Sequence, residues 1–224
     1  MSLTLVIGNK NYSSWSLRPW LYLKHHGIAF EEVRIPLYRE DSKAKILARS
    51  PSGKVPALRD GDIVVWDSLA ILEYLAERFP ATRGWPEDLG DRATARSLAA
   101  EMHAGFQALR NECGMNCRRP PAAKDLSEAA RKDVARVSQI WRECRERYAG
   151  EGPWLFGRFG IVDAMYAPVA LRFHTYRLDG GPAVQAMWTM CWQTPPWPNG
   201  RPPAGRKARR LRHSTSEPRA AKVL

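Results

Sequence analysis

Three short stretches of this 224-residue chain place hydroxyls, a carboxylate and an ammonium where proteins commonly hold anions. In NKNYSSWSLRPWL, residues 9–21, Ser13 and Ser14 precede an amphipathic run. Either serine can cap the helix that starts there, or turn its O–H toward a ligand. In SGKVPAL, residues 52–58, Lys54 and the Val55-Pro56 turn lead into a strand. In WDSLAIL, residues 66–72, Asp67 and Ser68 open a helix whose free amides and positive dipole end favour an anion.

Other chemistries lack their residues. The four cysteines, Cys113, Cys117, Cys144 and Cys191, form no C-x-x-C pair and no dense disulfide pattern. Cys113 and Cys117 are four apart, a spacing that on a helix would share one face, but no nearby His or Cys completes a four-ligand set, so no metal is expected. The five histidines make no H-E-x-x-H, and neither a P-loop nor a G-x-G-x-x-G is present.

The elements that must position these residues follow from periodicity. Residues 3–7 form a short apolar strand, and a helix from about Ser16 is stopped by Gly27. Residues 30–35 alternate as a half-buried strand, and 43–48 form a weak helix. Two strands, 57–59 and 63–66, flank Asp60-Gly61-Asp62 as a hairpin. From Asp67, apolar residues recur every three or four positions until Pro80. Residues 1–80 thus read as a small α/β domain with a mixed sheet. After a linker, 87–176 read as an all-helical domain with long helices at 91–110, 127–148 and 161–173.

Composition is ordinary for a globular protein, at 44% hydrophobic and 26% charged residues. No window approaches the roughly 18 uninterrupted apolar residues of a membrane span, and no export signal is visible, so a cytoplasmic protein without membrane contact is expected. The net charge of +12 is uneven: residues 177–224 hold 9 Lys+Arg against 2 Asp+Glu. That stretch also carries seven prolines and no helical or strand period, so an irregular basic tail is expected. We read it as a shifted frame of a GC-rich coding region, which translating the DNA in the other two frames tests. The rival reading takes RKARRLRH, residues 206–213, as a nucleic-acid arm.

The order of elements and the three motifs together resemble the cytosolic glutathione S-transferase family, in its serine-type, zeta-like form. A fourth stretch, FGIVDAMYAPVAL at 159–171, resembles the buried helix of that family's second domain. The resemblance covers residues 1 to about 176 and implies a thioredoxin-like domain followed by a helical one. It implies glutathione as co-substrate, a small electrophile as second substrate, and a homodimer. In this family the Val-Pro bond is cis, leaving the Val55 amide and carbonyl free to pair with an extended tripeptide. Ser68 would take the γ-glutamyl carboxylate, Asp67 the ammonium and Lys54 the glycyl carboxylate. The thiolate-stabilising hydroxyl falls on Ser13, with Ser14 beside it as a second donor. Tyr12 is a rival phenol, expected instead to pack beside the site.

Trp15 stands where many zeta-like relatives carry a cysteine, which argues against mixed-disulfide chemistry. His103, Phe106, Arg110, Met115 and Asn116 are expected to face the electrophile, Arg110 by orienting an anionic one. Where the family has Ser or Thr opening its buried helix this chain has Gly160, so Asp163 alone is expected to cap it. A non-enzymatic binding module of the same fold is the alternative function.

Overall fold

The computed structural model describes residues 3–183 and Met187. The first domain is a four-stranded mixed sheet in the order β2-β1-β3-β4. Strand β1 (Leu3–Ile7) lies parallel to β2 (Phe30–Arg34), with Leu5 opposite Glu32, and antiparallel to β3 (Ala57–Asp60), with Leu5 opposite Leu58. Strand β4 (Ile63–Val65) closes the hairpin against β3. The parallel β1–β2 pair requires a crossover, which α1 (Ser14–His25) supplies. The stop at Gly27 is as expected, its φ of +65° being backbone that glycine adopts without penalty. Helix α2 (Ser42–Leu47) covers a small cluster of Val6, Ile35, Ile46 and Ala57. Helix α3 (Ser68–Arg78) packs on the other face beside α1.

The second domain is helical: α4 (Leu89–Ala104), α5 (Gln107–Glu112), α6 (Glu128–Tyr148) and α7 (Ile161–Tyr176). The single helix expected over 91–110 is two. Gly105 is extended (φ −98°, ψ −167°), and Phe106 takes a left-handed φ of +57°. Phe106 is buried with its ring centroid 6.4 Å from that of Tyr166. Arg110 Nη1 then donates to the Gly105 carbonyl at 3.1 Å, and the Leu109 amide of α5 donates to Asp133 Oδ2 at 2.9 Å. Helical periodicity alone does not register such a break; a mid-helix glycine, about 1 kcal/mol worse than alanine, is the one local cue.

Helix α7 has 15 of its 16 residues buried. Its start is held by Asp163, whose Oδ2 accepts from the Gly160 amide at 2.9 Å and whose Oδ1 accepts from the Leu155 amide at 3.0 Å. Glycine in place of Ser or Thr is tolerated there because the carboxylate completes its half of the capping box. Helix α7 packs on both α1 and α4, so one apolar core runs through the two domains.

The expected irregular stretch from residue 177 lies largely outside the described residues, and so does residues 206–213. Of the residues described there, 181–183 and Met187 are helical, and Met187 is buried. Among the described residues no helix is long and apolar enough to cross a membrane.

Candidate active site

A cavity of about 550 Å³ lies between the domains. Trp15, Ser52, Lys54, Val55, Pro56, Trp66, Asp67, Ser68, His103 and Arg110 line it. All five residues expected to hold glutathione on the first domain are therefore on one wall, with His103 and Arg110 of the helical domain opposite.

Each first-domain residue owes its place to a local backbone event. Val55 precedes β3 through a cis bond to Pro56, and its amide and carbonyl pair with no described residue. Lys54 is exposed at the rim without a carboxylate partner among the described residues. Asp67 is the N-cap of α3: its Oδ1 accepts from the Leu69 amide at 3.0 Å and the Ala70 amide at 3.4 Å. Its Oδ2 lies 2.8 Å from His103 Nε2. One carboxylate thus joins the first turn of α3 to the last turn of α4. His103 Nδ1 is buried and has no hydrogen-bond partner among the described residues. Ser68 is 1% exposed, and its hydroxyl has no hydrogen-bond partner among the described residues. A buried hydroxyl at a helix N-terminus with nothing to bond is a costly arrangement unless it serves a ligand. A carboxylate meets that demand, since α3 adds its free amides and dipole at the same point.

The two serines occupy different situations. Ser13 is the N-cap of α1: its Oγ accepts from the Ser16 amide at 3.4 Å and donates to Ser16 Oγ at 2.8 Å, which also accepts from the Gly8 amide at 3.1 Å. Its one proton is committed. Ser14, the first residue of α1, is half-buried, and its hydroxyl bonds to no described residue. Neither hydroxyl is part of the cavity lining, but the next residue, Trp15, is. Tyr12 is 55% exposed instead of packed beside the site.

Phe106 and Asn116, expected to face the electrophile, do not line the cavity. Phe106 is turned into the core by the helix break. Asn116 accepts from Asn11 Nδ2 at 2.9 Å and from the Arg118 amide at 3.0 Å, tying the second domain to the turn before Ser13. Met115 is buried in the core.

In sequence Trp15 signals only the replacement of a cysteine, yet it organises the helical-domain side. The Arg18 guanidinium lies 4.1 Å and the Arg110 guanidinium 4.6 Å from its ring centroid, and the His103 ring meets it edge-on at 5.2 Å. Burial lowers the pKa of Arg110. Burial also lowers that of Arg172, to about 10, with the neighbouring Arg110 charge acting the same way. Both remain cationic at neutral pH. Ser52 and Trp66, further lining residues, stand inside the motifs that supply Lys54 and Asp67, so their proximity is the one signal that could have found them.

The chain is 38% identical to glutathione S-transferase 1 of Dianthus caryophyllus over 46% of this chain and 46% of the relative. The chain thus spans under half the length of that relative. Over a longer stretch, 79% of this chain and 84% of the relative, it is 29% identical to maleylacetoacetate isomerase of Pseudomonas aeruginosa. The fold matches that of a glutathione transferase homologue from Burkholderia solved with bound glutathione, with a TM-score of 0.62 over 87% of this chain and 93% of the other at 24% identity. The family model for the glutathione S-transferase N-terminal domain matches residues 12–78, and the model for its C-terminal domain matches residues 121–204. Together they take in about two thirds of the sequence, and the chain belongs to the glutathione S-transferase family.

Proposed function

We propose that this protein is a glutathione transferase in which Ser14 activates the thiol and Arg110 orients a small anionic electrophile. The observation that carries the reading is the buried, unpartnered Ser68 hydroxyl, on the same cavity wall as the unpaired Val55 backbone. An extended tripeptide fits that wall. Val55 pairs with its backbone like a neighbouring strand, and Ser68 with the α3 amides takes the γ-glutamyl carboxylate. Asp67, already held by His103, faces the ammonium, and Lys54 faces the glycyl carboxylate.

The sulfur then falls near the start of α1. A thiol of pKa about 8.5 is mostly protonated at neutral pH, and each unit of depression needs about 1.36 kcal/mol of preference for the thiolate. A hydrogen bond to a charged acceptor supplies roughly 1.5–3 kcal/mol and a helix N-terminus about 0.3–1. A shift of one to two units therefore needs no general base. Ser14 is the donor because its proton is uncommitted, and Ser13 holds the helix start in place.

The thiolate adds to an activated carbon. The adduct is an enolate: in conjugation it takes a proton from water to give the product, and in isomerisation it rotates about the former double bond, then re-forms that bond and expels the thiolate. Relatives named as maleylacetoacetate isomerases favour the second course, and an anionic substrate suits the Arg110 guanidinium on the opposite wall. Pairing of two copies through both domains belongs to the same reading.

The test is an ultraviolet titration of bound glutathione in Ser13→Ala and Ser14→Ala. Ser14→Ala is expected to raise the thiol pKa by about one unit or more. Ser13→Ala is expected to cost about 1 kcal/mol of stability as a lost cap while leaving that pKa within a few tenths. The reverse pattern exchanges the two roles, and no change in either variant refutes serine activation.

A further inference from the structure

We propose that Trp15 is a positioning residue for the electrophile: its indole face holds the Arg110 guanidinium at the cavity wall with N–H donors left open, which selects a negatively charged second substrate. The inference rests on the reading that Arg110 orients the electrophile. Trp15 is half-buried in the first turn of α1, next to Ser14. The Arg110 guanidinium of α5 lies 4.6 Å from its ring centroid, and both residues line the cavity. No carboxylate pairs with Arg110 among the described residues. The hydrogen bond it makes to a described residue runs from Nη1 to the Gly105 carbonyl, at 3.1 Å.

Two kinds of partner can hold a half-buried guanidinium. A carboxylate takes the N–H groups in the plane of the fork and leaves few of them for a ligand. An aromatic face attracts the charge through the ring quadrupole and uses no N–H at all. Arginine carries five such donors, so a carbonyl and an indole face leave most of them open to an anion in the cavity. The ring is itself held by two further side chains. The Arg18 guanidinium lies 4.1 Å from its centroid, anchored by Nε to the Met165 carbonyl at 3.0 Å and by Nη1 to the Ser14 carbonyl at 3.3 Å. The His103 ring meets it edge-on at 5.2 Å, with Nε2 lying 2.8 Å from Asp67 Oδ2. Arg18 is fully buried and does not line the cavity, so Arg110 is the arginine of this cluster that an electrophile can touch.

Trp15 follows Ser14 in the same helical turn. One backbone segment therefore sets both the hydroxyl that meets the sulfur and the platform that seats the cation for the electrophile. Such a link fixes the separation of thiolate and reacting carbon, on which the rate of a bound pair depends steeply. A leucine in place of Trp15 fills part of the volume but has no quadrupole, so the guanidinium loses its seat. Loss of a partly desolvated contact of this kind corresponds to about three- to tenfold in affinity for the anion.

The experiment measures by calorimetry how tightly the full-length chain holds the glutathione conjugate of chlorodinitrobenzoate and the conjugate of its methyl ester. The two ligands differ in one negative charge on the ring, and the ratio of their Kd values reads the preference for it. Wild type is expected to favour the carboxylate about tenfold. Trp15→Leu should cut that ratio about fivefold, and Trp15→Phe, which keeps an aromatic face, should stay within about twofold of wild type. In the Arg110→Met background, Trp15→Leu should change the ratio no further. An unchanged ratio in Trp15→Leu overturns the inference. An equal drop with and without Arg110 also overturns it, because a purely structural role would give that. If Trp15→Leu does not fold, fluorotryptophan incorporated throughout wild type and Arg110→Met decides, since ring fluorine weakens the pull of the face on a cation at nearly the same shape. The ratio should then fall about twofold in wild type and stay fixed in Arg110→Met; no fall in wild type, or an equal fall in both, overturns the inference. A wild-type chain without the preference, or a preference that survives Arg110→Met, overturns the Arg110 reading and this one together. A preference lost in Arg110→Met and kept in Trp15→Leu overturns this one alone.

Discussion

The two walls of the interdomain cavity differ in how they are built. On the first-domain wall, Lys54, Val55, Pro56, Asp67 and Ser68 all reach the cavity, because each sits at a helix start or a strand entry. On the helical wall, among the described residues, only His103 and Arg110 do, while Phe106 and Asn116 are turned elsewhere. Backbone events are announced by local residue types such as an acidic cap or a Val-Pro turn. Side-chain directions along a helix depend on its phase, and one break resets that phase. On the proposed reading the first wall holds glutathione and the second takes the electrophile.

Substitutions on the two walls test this division. The largest effect is expected from Asp67→Ala, which removes the cap of α3, the partner of His103 and the counter-charge for an ammonium. Glutathione binding measured by calorimetry should weaken about 100-fold, and stability should fall by about 1 kcal/mol. Ser68→Ala should weaken glutathione about tenfold with no loss of thermal stability, since its hydroxyl has no protein partner to lose. A drop in Tm without a change in affinity would contradict that assignment. Arg110→Met should raise KM for an anionic electrophile about fivefold while leaving the glutathione Kd unchanged, which steady-state kinetics with both substrates varied would show. The smallest catalytic effect belongs to Phe106→Leu: both KM values should stay within about twofold, while denaturant unfolding shows a loss of about 1–2 kcal/mol. A large KM change there would place Phe106 back at the site and erase the difference between the walls.

Much of this arrangement was legible before any coordinates. Alternation and apolar spacing located β1 to β4, and Gly27, Asp67 and Pro80 marked where helices stop or start. Residues 12–78, the span of the N-terminal family model, hold nearly all the site residues that the motifs identified. The break at Gly105 was hidden because the residues on both sides keep a helical pattern. The Trp15 cluster was hidden for another reason: its partners Arg18, His103 and Arg110 come from three helices, and no local spacing pairs them. By resemblance the thiolate-stabilising hydroxyl falls on Ser13, with Ser14 beside it as a second donor. Only the bonds to Ser16 separate them.

Helix α7 is buried along nearly its whole length and packs against α1 of one domain and α4 of the other. Such a helix has no stable state in water on its own, so it gains its structure only as both neighbours assemble around it. Two domains that are separate along the chain should then melt in a single calorimetric transition, with equal van't Hoff and calorimetric enthalpies. Amide exchange should find its slowest protons in α7 rather than in the sheet. The boundary drawn by sequence at the linker would then be no boundary for folding.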